Sequence, residues 1–213
     1  MKTIIFTMTS MLFVNLALAN NEKYIQSMKS NIQAVYRANS IEELQSSVNT
    51  FERIANVEKD KWEPLYYSAF GYVLMAIKEN DSSKKDSYLD KAMEAVKKAN
   101  TITPNESEIV AMEGFVHTIR LTVDPESRGQ QYSILATQSL SKAVSLNPEN
   151  PRALSLLAQM QYGTARFFGS STAEACATAN KALEKFDTIT STNPLAPEWG
   201  KKMTEEMKSQ CGQ

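Results

Sequence analysis

The sequence predicts an all-α chain, an α-solenoid of about four stacked antiparallel helix pairs plus a C-terminal capping helix. Three observations carry this. Apolar residues recur at spacings of three and four almost throughout, as in Leu65, Ala69, Tyr72, Ala76 and in Ala136, Leu140, Ala143, Val144, which is the period of one helix face. No stretch sustains the alternation of β-branched residues that a strand needs, and glycine numbers only 7. Finally, one short pattern of small and large residues returns three times at a nearly constant interval, the mark of a repeat architecture.

The first element is a leader. Lys2 precedes an apolar run from Ile4 to Leu16, and Ala17-Leu18-Ala19 gives way at once to polar Asn20-Asn21-Glu22. A basic start, a short apolar stretch and a small-x-small site form a secretory signal peptide over residues 1–19, cleaved after Ala19. The alternative is an uncleaved anchor, but the run is interrupted by Thr7, Thr9, Ser10 and Asn15 and falls short of the roughly 20 apolar residues that cross a bilayer. No cysteine follows the small residues to accept a lipid. Residues 20–213 then form one exported domain, periplasmic by this reading, with no further apolar run long enough to span a membrane.

Within that domain the helix pairs are expected at about 22–56, 62–100, 105–146 and 150–191. In the first pair, Ser40 with Glu43 three residues later is a capping box that opens the second helix. The other three pairs carry the repeated pattern in their second helices: Ala92, Val96, Ala99, Pro104; then Ala136, Leu140, Ala143, Pro148; then Ala182, Phe186, Ile189, Pro194. The prolines are 44 and 46 positions apart. Upstream of each lies a first helix centred on a small residue: Gly71, Gly114 and Ala158. A small residue lets the partner helix approach the backbone, the Ala opposite does the same from the other side, and the proline ends the second helix. Each pair leaves an apolar face that only the next pair can cover, so the pairs stack. The extra length of each repeat is expected in inter-helix loops at Leu121–Tyr132 and Arg166–Ala175. The capping helix spans 197–211, with Trp199, Met203 and Met207 as its apolar stripe.

The order small residue, Ala, large apolar residue, Ala, Pro resembles the tetratricopeptide repeat (TPR) family over Trp62 to Pro194. The interval is about ten residues longer than the family's usual 34 and matches that of HEAT repeats, but the proline at the end of the second helix favours the former. The resemblance implies a partner-binding groove lined by the first helices. Its positions here are Leu65, Ser68, Tyr72 and Met75; Glu108, Ala111, Phe115 and Thr118; Arg152, Ser155, Gln159 and Tyr162. A shift in register would instead make them core. The family's carboxylate clamp for a peptide C-terminus is not supported, since Ser68, Tyr72 and Ala111 hold its places and only Arg152 fits. A second candidate surface is Arg166-Phe167-Phe168-Gly169, where one of two adjacent aromatics must leave the core face.

Cys176 and Cys211 are equidistant from the turn near Asn193-Pro194. An antiparallel hairpin about that turn would bring them together, and an exported protein is where a disulfide persists. Two free buried thiols are the alternative.

Little else suggests chemistry. The one histidine, His117, shares a helix face with Glu113, but no third ligand stands at telling spacing, and a packing role for the ring is the simpler reading. There is no phosphate-binding glycine loop, nucleophile elbow or Cys-x-x-Cys. The 23 basic and 24 acidic residues are interspersed, which argues against nucleic acid. The expectation is a non-enzymatic exported adaptor with no cofactor and no metal, holding an unidentified protein or peptide. Alternatives are a binding protein for a small molecule or envelope polymer and, last, an enzyme of unrecognised type.

Overall fold

The structure, a computed structural model, describes residues 21–211, so the leader assigned to 1–19 lies outside the described residues. Regular structure among them is helical throughout. Four antiparallel pairs follow one another: α1 (21–37) with α2 (Ile41–Val57), α3 (Glu63–Lys78) with α4 (Ser82–Ile102), α5 (Ser107–Val123) with α6 (Pro125–Leu146), and α7 (Pro151–Phe168) with α8 (Ala173–Thr188). A short α9 (Lys201–Lys208) closes the chain. This is an all-α helical-repeat solenoid.

The helix starts are written in capping chemistry. The Ser40 hydroxyl accepts from the Glu43 amide at 3.2 Å, Asp81 from Lys84 at 2.9 Å, Asp124 from Ser127 at 3.2 Å, and Asn150 from Arg152 and Ala153 at 2.9 and 3.2 Å. Each such cap satisfies an orphan amide and contributes about 1 kcal/mol. Pro64, Pro125 and Pro151 occupy the first turns of α3, α6 and α7, where a missing N–H costs nothing.

The expected inter-helix loops are not there. α5 ends at Val123 and α6 begins at Pro125 with only Asp124 between them, and α7 runs to Phe168 before a short link to Ala173. The extra residues lengthen helices instead, to 21 in α4 and 22 in α6. Asp124 caps at once and Pro125 fits a first turn, so the chain can reverse without a loop.

The small residues sit where helices meet. A methyl group at Gly71 would lie 2.5 Å from Cγ2 of Val48, and one at Gly114 would lie 2.6 Å from Cγ and Cδ2 of Leu140. Ala158, Ala92, Ala136 and Ala182 are fully buried. The main core runs from Tyr24 in α1 to Met160 in α7 and takes in Leu195 of the C-terminal segment. The third copy of the pattern diverges: Ile189 falls outside α8 and is 43% exposed.

Two glycines of the same type should therefore respond oppositely to one methyl group. Gly114→Ala forces Leu140 from its place and should lower stability by about 1–3 kcal/mol. Gly163 in α7 has nothing within 4 Å of an added Cβ, so Gly163→Ala should raise stability by up to about 1 kcal/mol through helix propensity. Urea unfolding of both variants checks this, and equal signs would refute the assigned packing.

Candidate functional site

The first helices α1, α3, α5 and α7 present a shared inner wall, and the chain covers it with its own C-terminal segment. Asn193 Nδ2 donates to Glu63 at 3.1 Å, the Tyr67 hydroxyl donates to the Leu195 carbonyl at 2.8 Å, and the Glu198 amide donates to the Tyr36 hydroxyl at 3.1 Å. Trp199 then stacks between Phe70 and Phe115, with centroids 5.0 and 5.5 Å away and rings within 19° and 22° of parallel. Such aromatic pairs contribute about 0.5–1.5 kcal/mol each beyond their buried area. One turn into α9, the hydroxyls of Thr204 and Ser155 share a hydrogen bond of 2.6 Å.

A buried polar chain lies under Trp199. Its indole N–H donates to the Tyr66 hydroxyl at 3.0 Å, and Tyr66 donates onward to Glu108 at 3.3 Å. Arg152 grips the same carboxylate with Nε at 2.9 Å and Nη2 at 2.6 Å. Burial opposes the guanidinium charge, yet the adjacent Glu108 carboxylate raises the Arg152 pKa above its ordinary value. Burial, the largest influence, and Glu108 both push the Tyr66 phenol upward, so it stays a donor. Breaking a buried pair of this kind leaves an uncompensated charge.

This arrangement corrects the expectation of an open groove. Ser68, Met75, Ala111, Phe115, Arg152 and Ser155 are all buried. Leu65 packs against the core, and Thr118 turns back to donate to the Gly114 carbonyl at 2.9 Å. Glu108 is spent on Arg152. Tyr72 points the other way, toward the second helices, where its hydroxyl donates to Glu52 at 2.8 Å. The first-helix wall is apolar enough to need a cover, and the segment carrying Trp199 supplies it. The capping helix is corrected too. Helix begins only at Lys201, because Gly200 takes φ 111°, a region that strains any residue with a Cβ. Trp199 thereby leaves the stripe of Met203 and Met207 and reaches α3 and α5 instead. The sequence signal for this was Trp-Gly after Pro194 and Pro197.

The other end of α9 is tied down covalently. Cys176 and Cys211 form a disulfide with a Cα–Cα distance of 5.8 Å. It sits on a second, thin core of Ala158, Ala175, Ala179 and Met207, in which the three alanines bury little area.

Gln159 and Tyr162 are the two expected groove residues that line open space. With Gly163 they form the α7 side of a cleft of about 290 Å³, and Met203, Glu206 and Met207 form the α9 side. The Tyr162 hydroxyl faces the Gln210 carbonyl at 3.5 Å. Glu206 is turned outward, 3.9 Å from Lys202. Beyond this cleft α7 ends with Phe167 and Phe168, 83% and 74% exposed and packed edge to face at 5.0 Å. A second depression, between α1 and α2, is lined by Gln26, Ser27, Ser30, Asn31, Ala34 and Thr50. His117 lies elsewhere, half-buried beside Tyr132, with Glu113 3.9 Å from Nε2. Burial first, then Arg120 and Lys97, lower its pKa, so it is neutral at neutral pH. No cluster of three or more metal-ligating side chains occurs among the described residues.

No family model and no curated protein matches the sequence. Among solved structures, the HusA haemophore from Porphyromonas gingivalis is similar at TM-score 0.80 and 28% identity, over 89% of this chain and 92% of that one. A thermophilic TPR protein from Thermus thermophilus is similar at TM-score 0.45 and 16% identity, over 86% of this chain and 98% of that one. The chain is a helical-repeat protein, and the first likeness extends over nearly all of it.

The disulfide has a measurable consequence. Its cysteines are 35 positions apart, and on the chain-entropy account closing such a loop stabilises by about 4 kcal/mol. The double variant Cys176→Ala/Cys211→Ala should lose about 2–4 kcal/mol in urea unfolding, and the wild type with reductant should follow it. An unchanged midpoint would show that the bridge does not hold α9.

Proposed function

We propose that this protein is an exported, non-enzymatic binding protein that sequesters a planar, largely apolar ligand of the tetrapyrrole kind. One observation carries the reading: the inner wall on which a repeat protein of this type would lay a peptide is filled by the chain's own segment from Asn193 to Thr204, with Trp199 wedged between Phe70 and Phe115. A solenoid whose peptide track is occupied is better suited to a compact ligand held at a remaining surface. The likeness to a haemophore over nearly the whole chain supports the same class of ligand. The disulfide supports export, since such bonds persist in oxidising compartments. The repeats themselves are read as tetratricopeptide-like with lengthened helices, on the order of small residue, Ala and Pro.

A protein partner is the second reading. It is favoured by the exposed pair Phe167 and Phe168, because adjacent exposed aromatics are common anchors at interfaces. Such a partner would have to dock outside the inner wall.

Absorbance and fluorescence titration of the leaderless, oxidised protein with haem and with metal-free protoporphyrin IX tests the proposal. Saturable binding is expected with Kd below about 10 µM, or about −7 kcal/mol. Linear, unsaturated uptake indistinguishable from that of an unrelated helical protein would defeat it.

A further inference from the structure

We infer that the cleft between α7 and α9 is the ligand site, and that it takes the edge of a planar ring bearing a carboxylate, which Arg166 meets. The inference rests on the binding-protein reading and adds to it a place and a mode of recognition.

The first observation is a glycine without a structural reason. Gly71 and Gly114 are small because Val48 and Leu140 press on them, but an added Cβ at Gly163 would meet nothing within 4 Å. A glycine inside a helix is unfavourable relative to alanine, and Gly163 stands well inside α7. It forms part of the cleft lining, where any side chain would project into the space. Gly129 is also unpacked, but it is not among the residues of this cleft. An open position kept at a helix cost, within a cleft, fits a site that something else fills.

The second observation is the chemistry around it. The Tyr162 ring and the thioethers of Met203 and Met207 line it together, with Tyr162 also packed against the small core that contains Met207. Sulfur and aromatic faces are polarisable and accommodate flat rings of varied outline. The cleft, about 290 Å³ and open, is at the lower limit of small-molecule sites, so it holds an edge rather than an entire macrocycle. Phe167, one turn beyond Gly163 on α7 and 83% exposed, prolongs the apolar surface for the remainder.

The third is charge. Arg166 falls on the same stripe as Gln159, Tyr162 and Gly163, is exposed, and makes no ion pair among the described residues. Its guanidinium fork matches a carboxylate in two-point geometry. The acid of the cleft, Glu206, is 66% exposed with Lys202 alongside, so it does not oppose an anion at the α7 side. His117 packs against Tyr132 between α5 and α6 and takes no part.

Binding of metal-free protoporphyrin IX and of its dimethyl ester to the oxidised protein tests this, with circular dichroism and thermal melting run in parallel. Gly163→Leu should fold and melt no lower than the wild type, since nothing packs there, and should bind both porphyrins at least about tenfold more weakly. Arg166→Glu should weaken the diacid about tenfold or more while changing the ester less than about threefold. His117→Ala should bind as the wild type does. If the wild type binds but both cleft variants bind equally well, or if His117→Ala alone loses binding, the site is wrong and the binding-protein reading stands. If the ester suffers as much as the diacid in Arg166→Glu, the carboxylate contact is wrong. If the wild type binds neither porphyrin, the reading falls and this inference with it.

Discussion

A first helix in a stacked pair has two apolar sides to cover, and only one of them meets its own partner and the next pair. The inner side is the constraint on which the remainder of this structure depends. Phe70 and Phe115 lie there one repeat apart, and Trp199 fills the space between them at 5.0 and 5.5 Å. The Trp199 indole N–H could not be buried without an acceptor. Tyr66 provides it, Glu108 accepts in turn from Tyr66, and Arg152 neutralises Glu108. One chain of hydrogen bonds thus joins α3, α5 and α7 to the C-terminal segment. Removing any member leaves the next one buried and unpaired, which costs more than the bond itself.

That cover is anchored unequally at its two ends. Around Trp199 it rests on aromatic rings and the main core. Around Met207 it rests on Ala158, Ala175 and Ala179, whose methyl groups supply about a third of the burial of larger aliphatic side chains. The disulfide at Cys176–Cys211 offsets that thinness by holding the end of α9 beside α8. It also explains how an open cleft can persist between α7 and α9. Closing the cleft would require α9 to slide toward α7, and the helix is fixed at one end by the Ser155–Thr204 contact and at the other by the covalent bond.

The glycines show how one residue type carries different physical meanings along a chain. Gly71 and Gly114 are places where two helices touch. Gly200 supplies a left-handed φ of 111° and also lets Phe186 and Arg152 approach, since a Cβ would lie 2.8 Å from Phe186 Cζ and 3.3 Å from Arg152 Cγ. Gly163 does neither. The roles of Gly200 and Gly163 can be assigned only when the neighbours are known, because neither belongs to the repeated pattern that marks Gly71 and Gly114.

The sequence by itself determined the all-α class, the pairing of helices and the small residues at Gly71, Gly114 and Ala158 that bring them together, and it offered Cys176 with Cys211 as a pair whose bridge the structure then showed. These follow from local rules: a 3.6-residue period, caps and prolines at helix ends, and the equal distance of two residues from a turn. Only the tertiary structure decided what covers the inner wall. Ser68, Phe115 and Arg152 bear the same marks whether they face solvent, a partner or the chain's own end, and the segment that covers the inner wall makes contacts as many as 162 positions apart, as in the Glu198–Tyr36 bond. Such a contact leaves no periodic trace, because a single crossing segment repeats nothing. It likewise took the fold to separate Gln159 and Tyr162, which line open space, from the other residues of the predicted groove, which do not.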